Sequence, residues 1–391
     1  MEMNGFISDF YKDAKIISPD GDDYQYFYGY YDMCPAKADG SMHLCHRVKF
    51  LDRIPAPEDV ADLGYLVDGK FVKFAETTAW NFQQGAMLRY DSPNSDIVYY
   101  NVRNADNTFS TVTHNLVSGE KKYTDRAAAA ISWDGKYGIG LNFSRIFDFR
   151  PGYGYSGAPD PYFDVNVPAE DGAFLIDMET GKSRLLLSYP DLEPVSYLPE
   201  NSKIMINHVT FNPTSDRFVM LVRNFKKEGD RDWRTSMVVS DLQGNTKTLL
   251  KGTFVSHYWW NDDKNIMVFC QIKDHRGILI INCETGETTE IESPFFLPKG
   301  NRDVHCNLSP CGNYIIGDGY PHDGYRELFA YSLKTGKTEI LFKSRNMPPK
   351  CDDIRCDLHA CFIAGGKYIS FDITHRDRRD VAIVDTSALN F

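Results

Sequence analysis

Four histidines recur at nearly equal spacing in the second half of the chain, and each opens a short apolar strand. They are His208, His257, His305 and His359, roughly 50 residues apart. A repeat of this length, with one residue type at the same place, is typical of small sheets arranged around an axis. The spacing therefore predicts that the four imidazoles converge, and convergent imidazoles can carry protons or bind a metal ion.

Two of these histidines have other potential metal ligands nearby. Cys356 lies three residues before His359, and a turn at SPCG places Asp318 near His305 on the neighbouring strand. Two imidazoles, a thiolate and a carboxylate form a tetrahedral set suited to zinc, with manganese and calcium as alternatives. The sequence thus predicts a divalent-metal site of His305, Asp318, Cys356 and His359. A site of three imidazoles, His257, His305 and His359, is the alternative arrangement.

Arginines near the same strand edges are candidates for binding an anionic substrate. They are Arg145, Arg150, Arg223 and Arg234, and the first two flank a long insertion at 147–171. A planar guanidinium can bind both oxygens of a carboxylate, and a long loop on a compact scaffold commonly covers a site. These side chains are therefore predicted to contact substrate.

Further candidate substrate contacts are side-chain amides and aromatic rings, namely Trp80, Gln83, Gln84 and Asn142. Amides that follow a tryptophan suit sugar hydroxyls, but they could equally cap the channel by bonding to strand ends. Tyr153 and Tyr155 lie within the insertion, and each is a candidate proton donor.

Strand-like runs broken by Gly turns dominate the chain, and helical periodicity is scarce. Seven units begin near residues 26, 80, 127, 207, 256, 304 and 357. Several units carry a similar hairpin, such as FLIDMETGKSRLLL and FAYSLKTGKTEILF, as expected for the outer strands of a blade. We predict an all-β, single-domain, seven-bladed propeller of four-stranded blades over 1–391. The last unit is one strand short, so an N-terminal strand is predicted to close the ring.

Composition limits the partners. The 391 residues carry a net charge of −11 and a pI near 5.4, which argues against nucleic-acid or anionic-membrane partners. Nine cysteines, an odd number, suit a reducing compartment. Together with an N-terminus unlike a signal peptide, they predict a cytoplasmic protein. The sequence has no GxSxG elbow, Walker loop, dinucleotide fingerprint or HExxH motif, and it does not indicate an oligomeric state.

Several segments, including WNFQQGAML, RPGYGY, NHVTFNPTSDRFVMLVR and HCNLSPCGNYIIGDGYP, resemble the seven-bladed propeller polysaccharide lyases that act on ulvan. More distantly, they resemble the oligogalacturonate lyases. The resemblance runs from about Tyr28 to Asp385. The ulvan lyases imply a structural zinc on His305, Asp318, Cys356 and His359. The oligogalacturonate lyases imply a histidine-bound metal that neutralises the substrate carboxylate. Ulvan lyases place catalytic histidines in the third blade, where LNFSRIF has none.

The leading hypothesis is β-elimination on a uronic-acid-containing oligosaccharide. Arg223 and Arg145, helped by Asn142, would bind the carboxylate, and His208 would remove the adjacent proton. His257 is the alternative base. Tyr153 or Tyr155 would protonate the leaving oxygen.

Two other functions stay open from the sequence. One is a non-catalytic propeller that binds glycans or proteins and carries a structural metal. The other is glycoside hydrolysis, which needs two carboxylates facing the pocket. Asp32, Asp318 and Asp372 lie near inner strand edges, but no two of them form an evident pair.

Overall fold

The chain folds into seven four-stranded antiparallel sheets that form a β-propeller, which confirms the predicted fold class. The computed structural model describes residues 14–196, 202–225, 233–296, 303–321, 324–375, 377–387 and 389. The first strand of each blade faces the axis and the last faces outwards. In the fourth blade, for example, the first strand is almost wholly buried, whereas the fourth is half exposed.

The first three blades follow one another along the chain. Blade 1 contains β2 (Gln25–Phe27), β3 (His43–Val48), β4 (Ala61–Val67) and β5 (Lys70–Thr77). Blade 2 contains β6 (Arg89–Tyr90), β7 (Ile97–Arg103), β8 (Phe109–Asn115) and β9 (Lys121–Tyr123). Blade 3 contains β10 (Ala128–Ile131), β11 (Tyr137–Gly140), β12 (Gly172–Asp177) and β13 (Lys182–Ser188).

The next three blades carry three of the four histidines on their first strands. Blade 4 contains β14 (Ile204–Phe211), β15 (Arg217–Asn224), β16 (Thr235–Asp241) and β17 (Thr246–Thr253). Blade 5 contains β18 (Val255–Trp260), β19 (Asn265–Ile272), β20 (His275–Asn282) and β21 (Thr288–Glu290). Blade 6 contains β22 (Val304–Leu308), β23 (Tyr314–Gly319), β24 (Tyr325–Ser332) and β25 (Thr338–Arg345).

Blade 7 joins strands from both ends of the chain. It contains β26 (Cys361–Ile363), β27 (Tyr368–His375), β28 (Arg378–Asp385) and, outermost, β1 (Lys15–Ile16). In β1, Lys15 pairs with Ile383 and Ile16 with Ala382.

The outer hairpins depend on glycine at the turn. In the ETGK turn between β12 and β13, Gly181 has φ +71, a left-handed conformation that other residues rarely adopt. A Cβ atom there would lie 2.5 Å from the carbonyl oxygen of Tyr123. The repeated TG dipeptide in the sequence therefore marks a backbone requirement as well as a pattern.

Helices are few and short. The helices α1 (Phe143–Phe149) and α2 (Tyr189–Leu192) flank strands of blade 3, and 3-10 turns occur at Asp352–Ile354 and Ala364–Gly366. Among the described residues, no helix is long and apolar enough to cross a membrane. The α1 helix begins the insertion, which connects the second and third strands of blade 3, β11 and β12.

Residues 28–34, which we call the channel segment, follow β2 and fill the centre of the ring. The backbone N–H of Tyr28 donates to Asp372 Oδ1 in blade 7 at 2.9 Å, and the Tyr31 hydroxyl donates to the carbonyl of Tyr258 in blade 5 at 3.0 Å. The ring of Tyr30 stacks on His208 in blade 4. The segment thus supplies side chains to the central channel from blade 1.

Candidate functional site

The structure brings the four repeated imidazoles into one row, on the inner strands β14, β18 and β22 and just before β26. Ring centroids are 6.4 Å apart for His208 and His257, 3.9 Å for His257 and His305, and 4.6 Å for His305 and His359. Tyr30 of the channel segment contacts both ends of the row, at 5.2 Å from His208 and 4.5 Å from His359. The row therefore forms one continuous site.

The two end histidines adopt an uncommon backbone conformation. His208 has φ +48 and His359 has φ +46, in the left-handed region that costs a non-glycine residue of order 1 kcal/mol or more. His208 lies where the register of β14 against β15 shifts, between Asn207 and Val209. Such bulges redirect side chains and concentrate near functional sites. The surrounding sheet thus stabilises a strained backbone at two positions of the row.

A group of three residues could hold a metal ion. His305, Asp357 and His359 offer ligand atoms that all lie within 4.8 Å of one another, and all three are buried. Among the residues described, both ring nitrogens of His305 and Nε2 of His359 have no hydrogen-bond partner, whereas Oδ2 of Asp357 lies 2.7 Å from Arg355 Nε. Buried polar atoms without partners are uncommon in folded proteins. This donor set therefore fits a divalent cation of the zinc or manganese type.

The surroundings of His359 and His305 favour metal binding. His359 Nδ1–H donates to the carbonyl of Gly29 at 2.6 Å, which leaves the lone pair on Nε2, the tautomer that a metal ligand needs. Burial lowers the pKa of both imidazoles well below the ordinary value, so both are neutral. A neutral imidazole is the form that binds a metal.

The carboxylate of Asp357 lies between two arginines. Arg326 Nη1 donates to its Oδ1 at 2.8 Å, and Arg355 Nε lies 2.7 Å from its Oδ2. Burial alone would raise the pKa of Asp357, but the charges of Arg355 and Arg326 hold it well below the usual range. Asp357 is therefore ionised, as a carboxylate ligand must be.

The structure groups Asp357, and not Cys356, with the two histidines. Cys356 Sγ contacts the backbone oxygen of Asp357 at 3.7 Å, and burial raises the pKa of its thiol to about 12, which keeps it protonated. Asp318 stands opposite His305 in the β22–β23 ladder, with Oδ2 3.4 Å from His305 Nδ1. The carboxylate of Asp318 also accepts from the N–H of Leu358 at 2.8 Å. Asp318 therefore helps to orient His305 and the segment that precedes His359.

A cavity of about 220 Å³ adjoins this metal group. Its charged or titratable lining residues are Arg150, His208, Arg223, His257, Arg276, Asp303 and Tyr320. Three guanidinium groups face a single carboxylate, so the cavity carries positive charge although the protein as a whole is acidic. Such a pocket concentrates anionic ligands.

Arg223 is notable within the cavity because its guanidinium is buried and one of its N–H groups has no hydrogen-bond partner among the described residues. It is 4% exposed, and Nη2 donates to the carbonyl of Val255 at 3.1 Å. Nε has no hydrogen-bond partner in the described part of the chain. Burial and the charge of Arg150 lower the pKa of Arg223 to about 10, which still leaves it charged at neutral pH. A buried cation with an open donor favours a bound anion.

The two histidines of the cavity have different surroundings. His257 Nδ1 lies 2.9 Å from Asp303 Oδ1, and Ser256 Oγ donates to the other oxygen of Asp303 at 2.6 Å. His208 packs against the edge of Tyr153 at 5.1 Å between centroids. Burial and the charge of Arg223 lower the pKa of His208 well below its ordinary value. His257 connects the cavity to the metal group, because its ring also contacts His305.

The two tyrosines of the insertion occupy different environments. The Tyr153 hydroxyl accepts from Arg355 Nη2 at 3.1 Å, beside His208. Tyr155 is wholly buried, stacks on Phe143 at 4.2 Å and accepts from Asn101 at 3.0 Å. Tyr153 therefore belongs to the site, whereas Tyr155 packs the base of the insertion.

Arg145 and Asn142 hold the insertion in place, and we assign them no contact with substrate. Arg145 is 1% exposed, forms an ion pair with Asp160 at 3.1 Å and donates to four carbonyl groups. Asn142 caps α1 and donates to Asp160 and Asp171. Their polar groups are committed to internal partners, which argues against the substrate contacts expected from the sequence.

The amide segment of blade 2 also has a packing role. Trp80 lies among aromatic rings such as Phe82 and donates to the carbonyl of Asp59 at 2.9 Å. Gln83 Nε2 donates to the carbonyl of Arg355 at 2.8 Å, and the N–H of Gln84 donates to Asn81 Oδ1 at 2.8 Å. Of the two interpretations of these amides, the capping one fits these contacts.

The remaining two arginines differ in position. Arg150 lines the cavity, and its guanidinium lies over the rings of Tyr153 at 4.5 Å and Trp233 at 5.1 Å. Arg234 is exposed beside Trp233, and its carbonyl accepts from the N–H of Asn224 at 3.2 Å.

Sequence reasoning missed Asp357, Asp303, Tyr320, Arg355 and Arg276. The DLH spacing could have revealed Asp357, because residues two apart in extended chain lie on the same side. Asp303 and Tyr320 carry no periodic signal, and their partners come from other blades.

Comparisons with known proteins support the fold. No protein-family model and no curated protein matches the chain. Among solved structures, an oligogalacturonate lyase in complex with manganese is similar with a TM-score of 0.63 and 14% identity, over 96% of this chain and 95% of that one. The oligogalacturonate lyase of Vibrio parahaemolyticus gives 0.63 and 13%, over 98% and 97%. Tricorn protease gives 0.53 and 13%, over 92% and 33%. At these identities the shared feature is the propeller fold, and similarity to ulvan lyases stays a prediction.

Proposed function

We propose that the protein is a lyase that cleaves a uronic-acid-containing oligosaccharide by β-elimination. The observation that carries this proposal is the buried guanidinium of Arg223, with an open donor, next to His208 and His257 in a cavity that adjoins a metal group. An anion receptor and a base at one place are what removal of a proton beside a carboxylate requires.

Binding of the uronate carboxylate falls to Arg223 and Arg150. Both line the cavity, whereas Arg145 is saturated by Asp160 and carbonyl groups. A guanidinium pair withdraws electron density from the carboxylate, so the neighbouring C5–H becomes more acidic. Arg150 thus replaces Arg145 in the assignment made from the sequence.

The base is one of the two cavity histidines. Because burial keeps its pKa low, His208 is neutral at physiological pH and has a lone pair available. The ring of His257 is oriented by Asp303, whose Oδ1 lies 2.9 Å from Nδ1. The Tyr153 hydroxyl is the proposed donor to the departing O4, with Arg355 next to it.

A divalent cation fits the unpartnered ring nitrogens of His305 and His359, with the ionised carboxylate of Asp357 beside them. It would supply positive charge that stabilises the negative charge developing on the substrate. The donor set suits zinc, and the fold is shared with a lyase in complex with manganese, so we propose either ion.

Glycoside hydrolysis has less support. Among the residues that line the cavity, Asp303 is the one carboxylate, and hydrolysis of this type uses two. Asp372 accepts from Arg379 at 3.0 Å and from the N–H of Tyr28, so its oxygens are committed to internal partners.

The test is direct incubation with uronate oligomers. Galacturonate oligomers, ulvan fragments and glycosaminoglycan fragments are supplied separately, and ultraviolet absorbance detects the conjugated unsaturated product. Neutral glucose oligomers of equal length serve as the substrate control. We expect absorbance to rise with at least one uronate. If no uronate gives product in the presence of zinc or manganese, the protein is not such a lyase.

A further inference from the structure

A second cavity opens at the other end of the central channel. The histidines lie on β14, β18 and β22 and just before β26, whereas this cavity of about 510 Å³ contacts strand ends such as Leu308 in β22 and Ile363 in β26. Tyr31 and Asp32 of the channel segment form part of its wall. The proposed elimination uses none of its residues.

The walls of this second cavity offer flat aromatic surfaces. Trp133, which is 40% exposed, and Trp259 both line it. An exposed indole in a concave surface is a platform on which the apolar face of a ring-shaped ligand can lie. The second cavity thus favours a ligand that has a flat, partly apolar ring.

A smaller recess of about 40 Å³ shares Asp32, Met33 and Trp133 with the second cavity. Arg89 also lines this recess and is 7% exposed. Its Nη1 donates to the carbonyl of Ile131 at 3.2 Å, but Nη2 has no hydrogen-bond partner in the part of the chain that is described. The recess therefore presents an open donor from Arg89 near the carboxyl group of Asp32.

A further unpartnered acceptor lies in the larger cavity. Asn307 is 2% exposed, and its Nδ2 donates to the carbonyl of Ala360 at 2.8 Å. Its Oδ1 accepts no hydrogen bond from any residue that the structure describes. Because such groups cost free energy when left unpaired, a ligand that donates to Asn307 and fills the recess would stabilise this end of the channel.

We propose that the second cavity binds a neutral pyranose sugar, with its ring on the indoles and a hydroxyl group in the recess between Asp32 and Arg89. A hydroxyl both donates and accepts, so it matches this mixed pair. Arg89 would repel a cation, and the ionised form of Asp32 would repel an anion. The site shares no residue with the proposed lyase site, so each can exist without the other.

The ionisation of Asp32 agrees with a neutral ligand. Burial raises the pKa of its carboxyl group to about 7, and Arg89 acts in the opposite direction. Near neutral pH the group therefore exists in both forms, and it does not require a cationic partner.

The experiment uses the full chain and measures binding by tryptophan fluorescence and by calorimetry. The probes are methyl β-glucopyranoside, methyl α-mannopyranoside and methyl α-rhamnopyranoside, with glucuronate and choline as charged comparisons. We expect at least one neutral glycoside to bind more tightly than either charged probe. Trp133→Ala should weaken that binding about tenfold, and its exposed position makes misfolding a small concern, which circular dichroism checks.

Arg89→Lys and Arg223→Lys form the matched pair of variants. Arg89→Lys should weaken glycoside binding, whereas Arg223→Lys, in the opposite cavity, should leave it unchanged. The proposal is overturned if none of the three glycosides binds at high millimolar concentration, if choline or glucuronate binds more tightly, or if Arg223→Lys abolishes binding while Trp133→Ala does not. Since the readout is binding, loss of lyase activity has no bearing on it.

Discussion

The two ends of the central channel differ in chemistry although the same inner strands form both. The histidine end gathers four imidazoles, and two of them line a cavity of about 220 Å³ together with three arginines and a carboxylate. At the opposite end of the channel the cavity is larger, and its lining is mainly apolar and aromatic. A propeller can thus place reactive groups at one mouth and binding surfaces at the other, because the channel segment separates them.

Left-handed backbone occurs at both ends. His208 and His359 hold left-handed conformations at the histidine end. At the other end, Ala364 (φ +50) lines the larger cavity and Met87 (φ +55) lines the recess. The contrast between the two ends therefore lies in charge and in exposed aromatic surface rather than in backbone strain. The following predictions test this contrast.

The largest effect is expected at Arg223. Arg223→Lys keeps a charge but loses the planar fork, so turnover of a uronate oligomer should fall about 10²–10³-fold. The measurement is the initial rate of formation of unsaturated product. Arg184→Lys, an arginine that donates to the carbonyl of Leu242 on the outer surface, is the control and should retain full activity. Equal activity of the two variants would contradict the proposed anion receptor.

The second prediction concerns the metal group. Asp357→Asn should lower bound zinc or manganese from about one ion per chain to well below that, and chelation should lower the melting temperature of the native protein by a few degrees. Cys356→Ser should keep the metal, because its thiol lies outside the three-residue group. Elemental analysis of the purified variants measures both. Retention by Asp357→Asn together with loss by Cys356→Ser would restore the ligand set expected from the sequence.

A smaller effect separates the two tyrosines of the insertion. Tyr153→Phe should lower kcat roughly 10–100-fold with little change in KM, because it removes a proton donor. Tyr155→Phe should leave kcat unchanged and cost about 1 kcal/mol of stability, since it removes one buried hydrogen bond. Steady-state kinetics and urea unfolding measure the two quantities. A reversed pattern would exchange the roles of these residues.

The smallest effect is expected at the second cavity, which Trp133 and Trp259 line. The folded pKa of Asp32 is raised to about 7 by burial, so the folded state keeps a proton that the unfolded state loses near pH 4. Stability from this group is therefore greatest below pH 4 and falls as pH rises towards 7. Asp32→Asn should remove most of this pH dependence in urea unfolding, whereas Asp68→Asn, at an exposed turn, should not. If the pH dependence of the free energy of unfolding is the same in Asp32→Asn as in the native protein, the carboxyl group of Asp32 is exposed to water.

The sequence predicted the fold well, because the period and the repeated glycine turns both report backbone geometry. It predicted the site less completely. The type of a residue does not reveal whether its polar groups are already paired: Arg145 and Arg223 look alike in sequence, but Asp160 satisfies the first and nothing described satisfies Nε of the second. The partner of Arg145 lies in the irregular insertion, where no periodic pattern applies.

The prediction for the metal group located Asp318 beside His305 but did not find Asp357. The SPCG turn was expected to place Asp318 near His305, and Asp318 stands directly opposite His305 in the ladder. Which of two adjacent side chains, Cys356 or Asp357, joins the group depends on the direction that each faces in an irregular segment. That direction follows from packing against Arg326 and Arg355, which comes from tertiary structure.

The channel segment has a consequence for how the protein is made. Gly29 and His359 are joined by a hydrogen bond although 330 residues separate them. During synthesis the aromatic segment at 28–34 therefore emerges long before its partners in blades 4 to 7 exist. Contacts this remote slow folding and leave apolar side chains exposed on the growing chain. Assembly of the histidine row must therefore be a late event, because the row is incomplete until His359, directly before blade 7, has been made.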